Sequence, residues 1–148
     1  MAHVTGRIRI AAPLEQVFDT VADLRNEPSF NAAMAGVELI TSEPIGNGTR
    51  FHARMGKSGL DMFVELTEFH RPQKLGSVTT SSIMETSGTL TSTADSDATI
   101  MAWAWDVRPK GWFRLFGPLV GPLGRRRERK IWAGLKRRLE AETRPSAR

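Results

Sequence analysis

The chain contains no cysteine and no tyrosine. The first absence excludes disulfides, thiolate metal sites and cysteine nucleophiles. The second removes a phenolic proton donor from any reaction the protein would carry out. No run approaches the roughly 18 apolar residues that a membrane-crossing helix needs. The opening MAHVTGRIRIAAP lacks the apolar core of a signal peptide, which points to the cytoplasm. Catalytic fingerprints are missing as well: there is no HExxH, P-loop, G-x-S-x-G or dinucleotide motif. His3, His52 and His70 are dispersed, with no carboxylate at metal-ligand spacing, so neither a metal nor a cofactor is expected.

What is present is an ordinary globular composition. With 148 residues, 40% hydrophobic and 25% charged, the chain suits one domain with a real core. Residues 1–142 read as that domain, and residues 143–148 as a disordered tail. Charge is unevenly placed. Residues 125–148 hold ten Lys/Arg against three Asp/Glu, whereas residues 1–124 hold eleven against thirteen. The high pI therefore belongs to the last segment, and a nucleic-acid partner is disfavoured because no basic patch spreads over a folded face.

His3 to Ala11 reads as a strand, with Val4, Ile8 and Ile10 on one parity and Arg7 and Arg9 on the other. Pro13 suits a first helical position, and Leu14, Val17, Phe18, Val21 and Leu24 follow at three- and four-residue steps. Asn26-Glu27-Pro28 breaks that helix, and Ser29–Met34 is expected as a second short one, with Phe30 and Met34 on one face. Strand-like runs follow, separated by turn signals: Val37–Glu43, Thr49–Met55, Leu60–Phe69, Lys74–Thr80, Met84–Thr93 and Ala98–Val107. Gly46-Asn47-Gly48 makes the first hairpin turn, since Gly and Asn tolerate positive φ. In the last strand Met101, Trp103, Trp105 and Val107 share a parity.

The final helix is the element around which this order is arranged. Trp132, Leu135 and Leu139 fall at i, i+3 and i+7 beside Ile131, a narrow apolar stripe between Lys and Arg residues. It needs a surface to lie on, and the sheet supplies one, which makes the fold α+β. Phe113 to Gly124 is apolar but punctuated by Pro118, Gly121, Pro122 and Gly124. It is expected as a short helix and a kinked join, with the long helix starting near Pro122. A gate over a cavity mouth and an apolar foot on a membrane are two uses for it.

The stretches IRIAAPLEQVFDTVADLRNEPSFNAAM, IGNGTRF, VELTEFHRPQKL, DVRPKGWF and RRRERKIWAGLKRRLE together resemble the START-like, or helix-grip, superfamily. Within it they resemble the polyketide cyclase/dehydrase type (SRPBCC), over nearly the whole chain to about Glu142. The resemblance implies a curved antiparallel sheet of about seven strands around a long C-terminal helix, with two short helices after the first strand. It also implies an apolar cavity between sheet and helix. Cavity candidates are Phe30, Phe51, Met55, Phe63, Glu65, Thr67, Met84, Met101, Trp103, Trp105, Trp132 and Leu135. Either parity of Leu60–Phe69 can face inward, because Phe63 and Phe69 oppose Met62, Val64 and Leu66.

Three functions are compatible with this reading. The first is binding of a small hydrophobic or amphipathic ligand such as a lipid, polyketide or isoprenoid. The second is a cyclase- or dehydratase-like enzyme, for which Arg50, Arg54, Asp61, Glu65, Thr67, Glu85 and Thr89 are the polar candidates. Each of these is better explained as the solvated outer face of a sheet, and Asp23, Arg25, Asn26 and Glu27 are explained by local capping and ion pairing. The third is a membrane-surface or partner module using Arg125–Arg138. A homodimer is a further expectation, since Ile100, Ala102 and Ala104 make the outward parity of the last strand less polar than solvent demands.

Overall fold

The computed structural model describes residues 2–143. Met1 and residues 144–148, all but the first residue of the expected tail, lie outside the described residues, and Thr143 is helical. The strands are β1 (Ala2–Ile10), β2 (Met34–Leu39), β3 (Arg50–Met55), β4 (Asp61–His70), β5 (Lys74–Thr80), β6 (Met84–Asp95) and β7 (Ala98–Pro109). They form one antiparallel sheet in the order β1-β7-β6-β5-β4-β3-β2. Strands β2 to β7 are sequential neighbours, so short turns suffice between them. Only the link from β1 to β2 must cross from one sheet edge to the other. Helix α1 (Leu14–Ala22) and a 3-10 helix (Leu24–Ser29) make that crossing.

Helix α1 starts after Pro13 and buries Val17, Phe18 and Ala22. It is fixed at its start by the buried Thr99 hydroxyl, which donates to the Ala12 carbonyl at 2.8 Å. The expected second helix over Ser29–Met34 is displaced. Asp23 ends α1, accepts from the Arg25 amide at 3.1 Å, and so starts the 3-10 helix early. Met34 is instead the first residue of β2. Pro28 stands inside the 3-10 helix, a register that its fixed φ and missing N–H permit over so short a run.

Helix α2 runs unbroken from Gly117 to Thr143, after a second 3-10 helix at Gly111–Phe116. The expected start near Pro122 is therefore five residues late. Pro122 is exposed and lies inside the helix, where its missing N–H leaves the Pro118 carbonyl without an intrahelical donor. The helix buries Ile131, Trp132, Leu135 and Leu139, the stripe that the spacing defines. Leu135 and Leu139 are fully buried, each contributing about 2 kcal/mol by transfer from water. Its C-terminal half is also fastened by polar groups. Lys136 donates to the Arg9 carbonyl at 2.6 Å, Glu140 accepts from the Ala11 amide at 2.8 Å, and Arg138 donates to the Asn26 carbonyl and the Ser29 hydroxyl.

Two glycines let the sheet wrap the helix. Gly6 lies opposite Trp103 in the register, and a side chain on it would collide with the indole. Gly88, at φ 151°, lets β6 pass so close to β7 that a Cβ would overlap the Ala104 carbonyl. On the outer face, Ile100 and Ala102 are half-buried and Ala104 is exposed.

Candidate functional site

The inner face of the sheet, α1 with its following 3-10 helix, and α2 enclose a cavity of about 570 Å³. The sheet contributes Val64, Leu66, Leu75, Leu90, Trp105 and Val107 to the wall. Helix α2 and the 3-10 helix before it contribute Phe116, Val120, Gly124, Ile131 and Trp132. These follow from strand alternation and helical spacing: each inward-facing residue lacks a partner across the gap.

The β4 strand resolves both of its parities. Val64 and Leu66 are buried, so Phe63, Glu65 and Thr67 point outward. A register irregularity between Leu66 and Glu68 then shifts the strand, and Phe69 returns to the core edge-on to Phe18, ring centroids 5.3 Å apart. An extra residue at a bulge has that effect. Phe63, Glu65 and Thr67 accordingly do not line the internal cavity. They border a smaller depression of about 370 Å³ on the outer face, with Ile40 and Arg50. Glu65→Gln is expected to change neither stability beyond about 0.5 kcal/mol nor the affinity for a ligand in the cavity. A thermal melt and a binding titration check both.

The remaining candidates divide into two groups. Met84, Trp105 and Trp132 line the cavity. Phe51, Met101, Trp103 and Leu135 are fully packed core residues behind it, and Met55 belongs to a small cluster with Met34 and Ala53. Phe30 supports Trp132 at 6.2 Å between ring centroids, and Trp103 lies tilted against the same indole at 5.9 Å. Buried Trp103 Nε1 has no hydrogen-bond partner among the described residues.

The polar candidates for catalysis fall outside the cavity. Arg54 and Asp61 are exposed on the outer face, 3.9 Å apart. Glu85 and Thr89 take the parity opposite to Thr86 and Leu90, which line the cavity. His52 lies half-buried on that outer face between Glu38 (3.1 Å) and Asp61 (2.8 Å), stacked on Phe63. Its two carboxylate partners raise its pKa, Asp61 most. Among the described residues no group of His, Asp and Glu could hold a metal.

The cavity has its own titratable groups, and sequence reasoning passed over both. Glu27 and Glu128 lie in its wall, with Arg127 and Asn31. Glu128 accepts hydrogen bonds at one carboxylate oxygen from Trp132 Nε1 at 2.6 Å and Trp105 Nε1 at 3.2 Å. Burial raises its pKa, and the two indole N–H groups and Arg127 pull it back. Glu27 accepts from Asn31 Nδ2 at 3.0 Å. Burial pushes its carboxyl up to about 7; the Asn31 bond opposes this, the Glu128 charge adds to it and Arg127 opposes it. The Glu128 charge disfavours ionisation of Glu27, so burial and that charge together keep Glu27 protonated further toward neutral pH. The site then offers a hydrogen-bond donor and an acceptor on one apolar wall. A signal for Glu128 existed: it stands three and four residues before Ile131 and Trp132, on the stripe that α2 buries.

Comparison with known proteins fits this geometry. The family model described as polyketide cyclase / dehydrase and lipid transport matches residues 1–140. The chain belongs to this family. No curated protein sequence matches it significantly. Solved structures share its fold at low identity. The protein TTHA0849 from Thermus thermophilus is 18% identical with a TM-score of 0.80, over 96% of this chain and 99% of that one. A START superfamily protein from Mycobacterium smegmatis is 15% identical with a TM-score of 0.76, over 95% and 99%. The Zhui aromatase/cyclase from Streptomyces sp. R1128 is 16% identical with a TM-score of 0.73, over 96% and 95%. This member of the family thus has the helix-grip fold. No helix among its described residues is long and apolar enough to cross a membrane.

Proposed function

We propose that this protein binds a small hydrophobic or amphipathic molecule, of lipid, polyketide or isoprenoid kind, in the cavity between sheet and α2, and does so in the cytoplasm. The observation that carries the reading is the cavity itself: about 570 Å³, walled mainly by Leu, Val, Met and Trp side chains, with two carboxyls on one side. Pockets of that size and composition suit ligands that bury most of their surface and are oriented by a few polar groups. Glu27 and Glu128 would hold the polar end of such a ligand, its apolar body lying along Leu66, Leu75 and Leu90.

The reading is tested by filling the space. Leu66 is buried and faces the cavity. Leu66→Trp is expected to weaken an environment-sensitive hydrophobic probe at least tenfold, about 1.4 kcal/mol. It should cost about 1–3 kcal/mol of stability through overpacking, which a denaturant titration would detect. Probe affinity unchanged in a folded Leu66→Trp variant would remove the cavity as the binding site.

A second reading is favoured by the same two carboxyls. Glu27, pushed up by burial, would supply the proton, and Glu128, accepting two indole N–H bonds, would serve as the base; that is the pairing a cyclase or dehydratase needs to protonate a carbonyl oxygen and accept a carbon-bound proton. Loss of turnover of a poly-β-ketone in Glu27→Gln, with ligand affinity retained, would establish it. Retained turnover would leave the carboxyls as binding groups.

A further inference from the structure

We infer that the segment from Trp112 to Leu123, with the basic stripe that continues it along α2, is a docking face for an anionic lipid bilayer onto which the cavity opens. Its first element is apolar exposure. Trp112, Leu115, Phe116, Leu119 and Leu123 are between 44% and 81% exposed, and all five belong to one short 3-10 helix and the first turns of α2. Scattered single exposures are common, but five large side chains on one continuous segment are a surface that seeks cover. Trp112, Phe113 and Phe116 form a ring cluster there, with centroids 4.1 to 6.0 Å apart. Aromatic groups of this kind favour the headgroup level of a bilayer.

The second element is charge. Leu119 and Leu123 are four residues apart, and Arg126, Lys130 and Arg137 follow at steps of three, four and seven, so they extend the same side of the helix. All three cations are exposed, as is Arg114 within the apolar segment. None of these four makes an ion pair among the described residues, whereas Lys136 and Arg138, one turn away, are tied to Glu140 and Glu142. An apolar stripe running into unpaired cations complements a surface with an acyl layer beneath anionic headgroups. It is a poor match for a soluble partner with a dry, uncharged interface.

The third element is continuity with the cavity. Trp112, Phe116, Leu119 and Leu123 border the cavity as well as the outer surface. A lipidic ligand leaving a bilayer under this face would meet apolar side chains all the way to Leu66 and Leu90. Anchoring also separates this end of α2 from the other. The C-terminal half is bonded to β1 and the first 3-10 helix, and the N-terminal turns are left to the surface. The role as an entry route rests on the ligand-binding reading above, but the docking face does not.

Vesicle co-sedimentation of the full chain tests it. Binding is expected to vesicles of 30% phosphatidylglycerol in phosphatidylcholine, and to be at least tenfold weaker to pure phosphatidylcholine vesicles. Leu115→Asp/Leu119→Asp and Arg126→Glu/Lys130→Glu should each lower binding to the anionic vesicles by at least tenfold. Because all four positions are exposed, thermal melts should stay near wild type. Absent vesicle binding by wild type would overturn the inference, as would wild-type binding by the Asp variant. A dimer in sedimentation velocity that the Asp variant dissociates, with no vesicle binding, would assign the face to a second copy and overturn it too. Probe affinity measured without vesicles is expected to be unchanged in Arg126→Glu/Lys130→Glu, whose positions lie off the cavity wall, so failure of the docking face and failure of the cavity reading are told apart.

Discussion

Trp132→Ala is expected to cost about 3–5 kcal/mol of stability, the largest single loss of any substitution considered for this protein. For a chain of this size that lowers the melting temperature by about 10 °C or more. The indole is 5% exposed and packed between Trp103 and Phe30, so its removal leaves a void that three elements cannot close together. It also donates the 2.6 Å hydrogen bond to Glu128. Without that donor a carboxylate in the cavity wall keeps only the longer bond from Trp105, and an under-satisfied buried charge adds to the loss. Trp132→Phe separates the two contributions. It retains most of the ring contact and removes the N–H, so a loss of about 1–2 kcal/mol is expected. Urea titrations of the three proteins decide the matter, and an alanine variant within about 1 kcal/mol of wild type would contradict the packing described.

Trp132 also illustrates what the sequence makes visible. Period and parity place it, Leu135 and Leu139 on one stripe of α2, and place Trp103 and Trp105 on one face of β7, because both patterns are repeats of an apolar residue against a polar background. The seven strands and their order follow from similar local signals. The failures share a different cause. Nothing in the local pattern of SFNAAM says that Asp23 will accept from the Arg25 amide and start a 3-10 helix that is already over at Ser29. In β4 both parities carry large apolar residues, and only the pairing with β5, with its slip between Leu66 and Glu68, sends Phe63 outward and Phe69 inward. Glu27 and Glu128 were hidden for another reason. Each has a ready local explanation, a cap for one and a charged helix for the other, and what distinguishes them is the cavity that tertiary packing closes over both.

Glu27→Gln should make the protein more stable above neutral pH and change little in acid. The folded carboxyl is pushed up to about 7 by burial, against about 4.3 in an unfolded chain. Between those values the folded state holds a proton that the unfolded state has released, so stability falls as pH rises through that window. Below about pH 4 both states are protonated and the penalty vanishes. Above about pH 8 it is complete, at about 4 kcal/mol. Glutamine keeps a carbonyl oxygen for Asn31 Nδ2 and has no charge to bury, so the variant should gain that amount at about pH 8.5 and nothing at about pH 4. The groups that face Glu27 act in defined directions: Glu128 reinforces its shift, while Arg127 and Asn31 oppose it. Glu128 is itself raised, so part of the slope should remain in Glu27→Gln and go only in the Glu27→Gln/Glu128→Gln double variant. The same proton governs recognition. A ligand that accepts a hydrogen bond from neutral Glu27 should bind wild type more weakly as pH rises through about 7, whereas glutamine, a donor at every pH, should hold it evenly. Chemical unfolding and ligand titration at about pH 5 and about pH 8.5 would read both effects. Equal pH slopes in wild type and Glu27→Gln would mean that this carboxyl is wet and ionised, and that the donor in the cavity wall lies elsewhere.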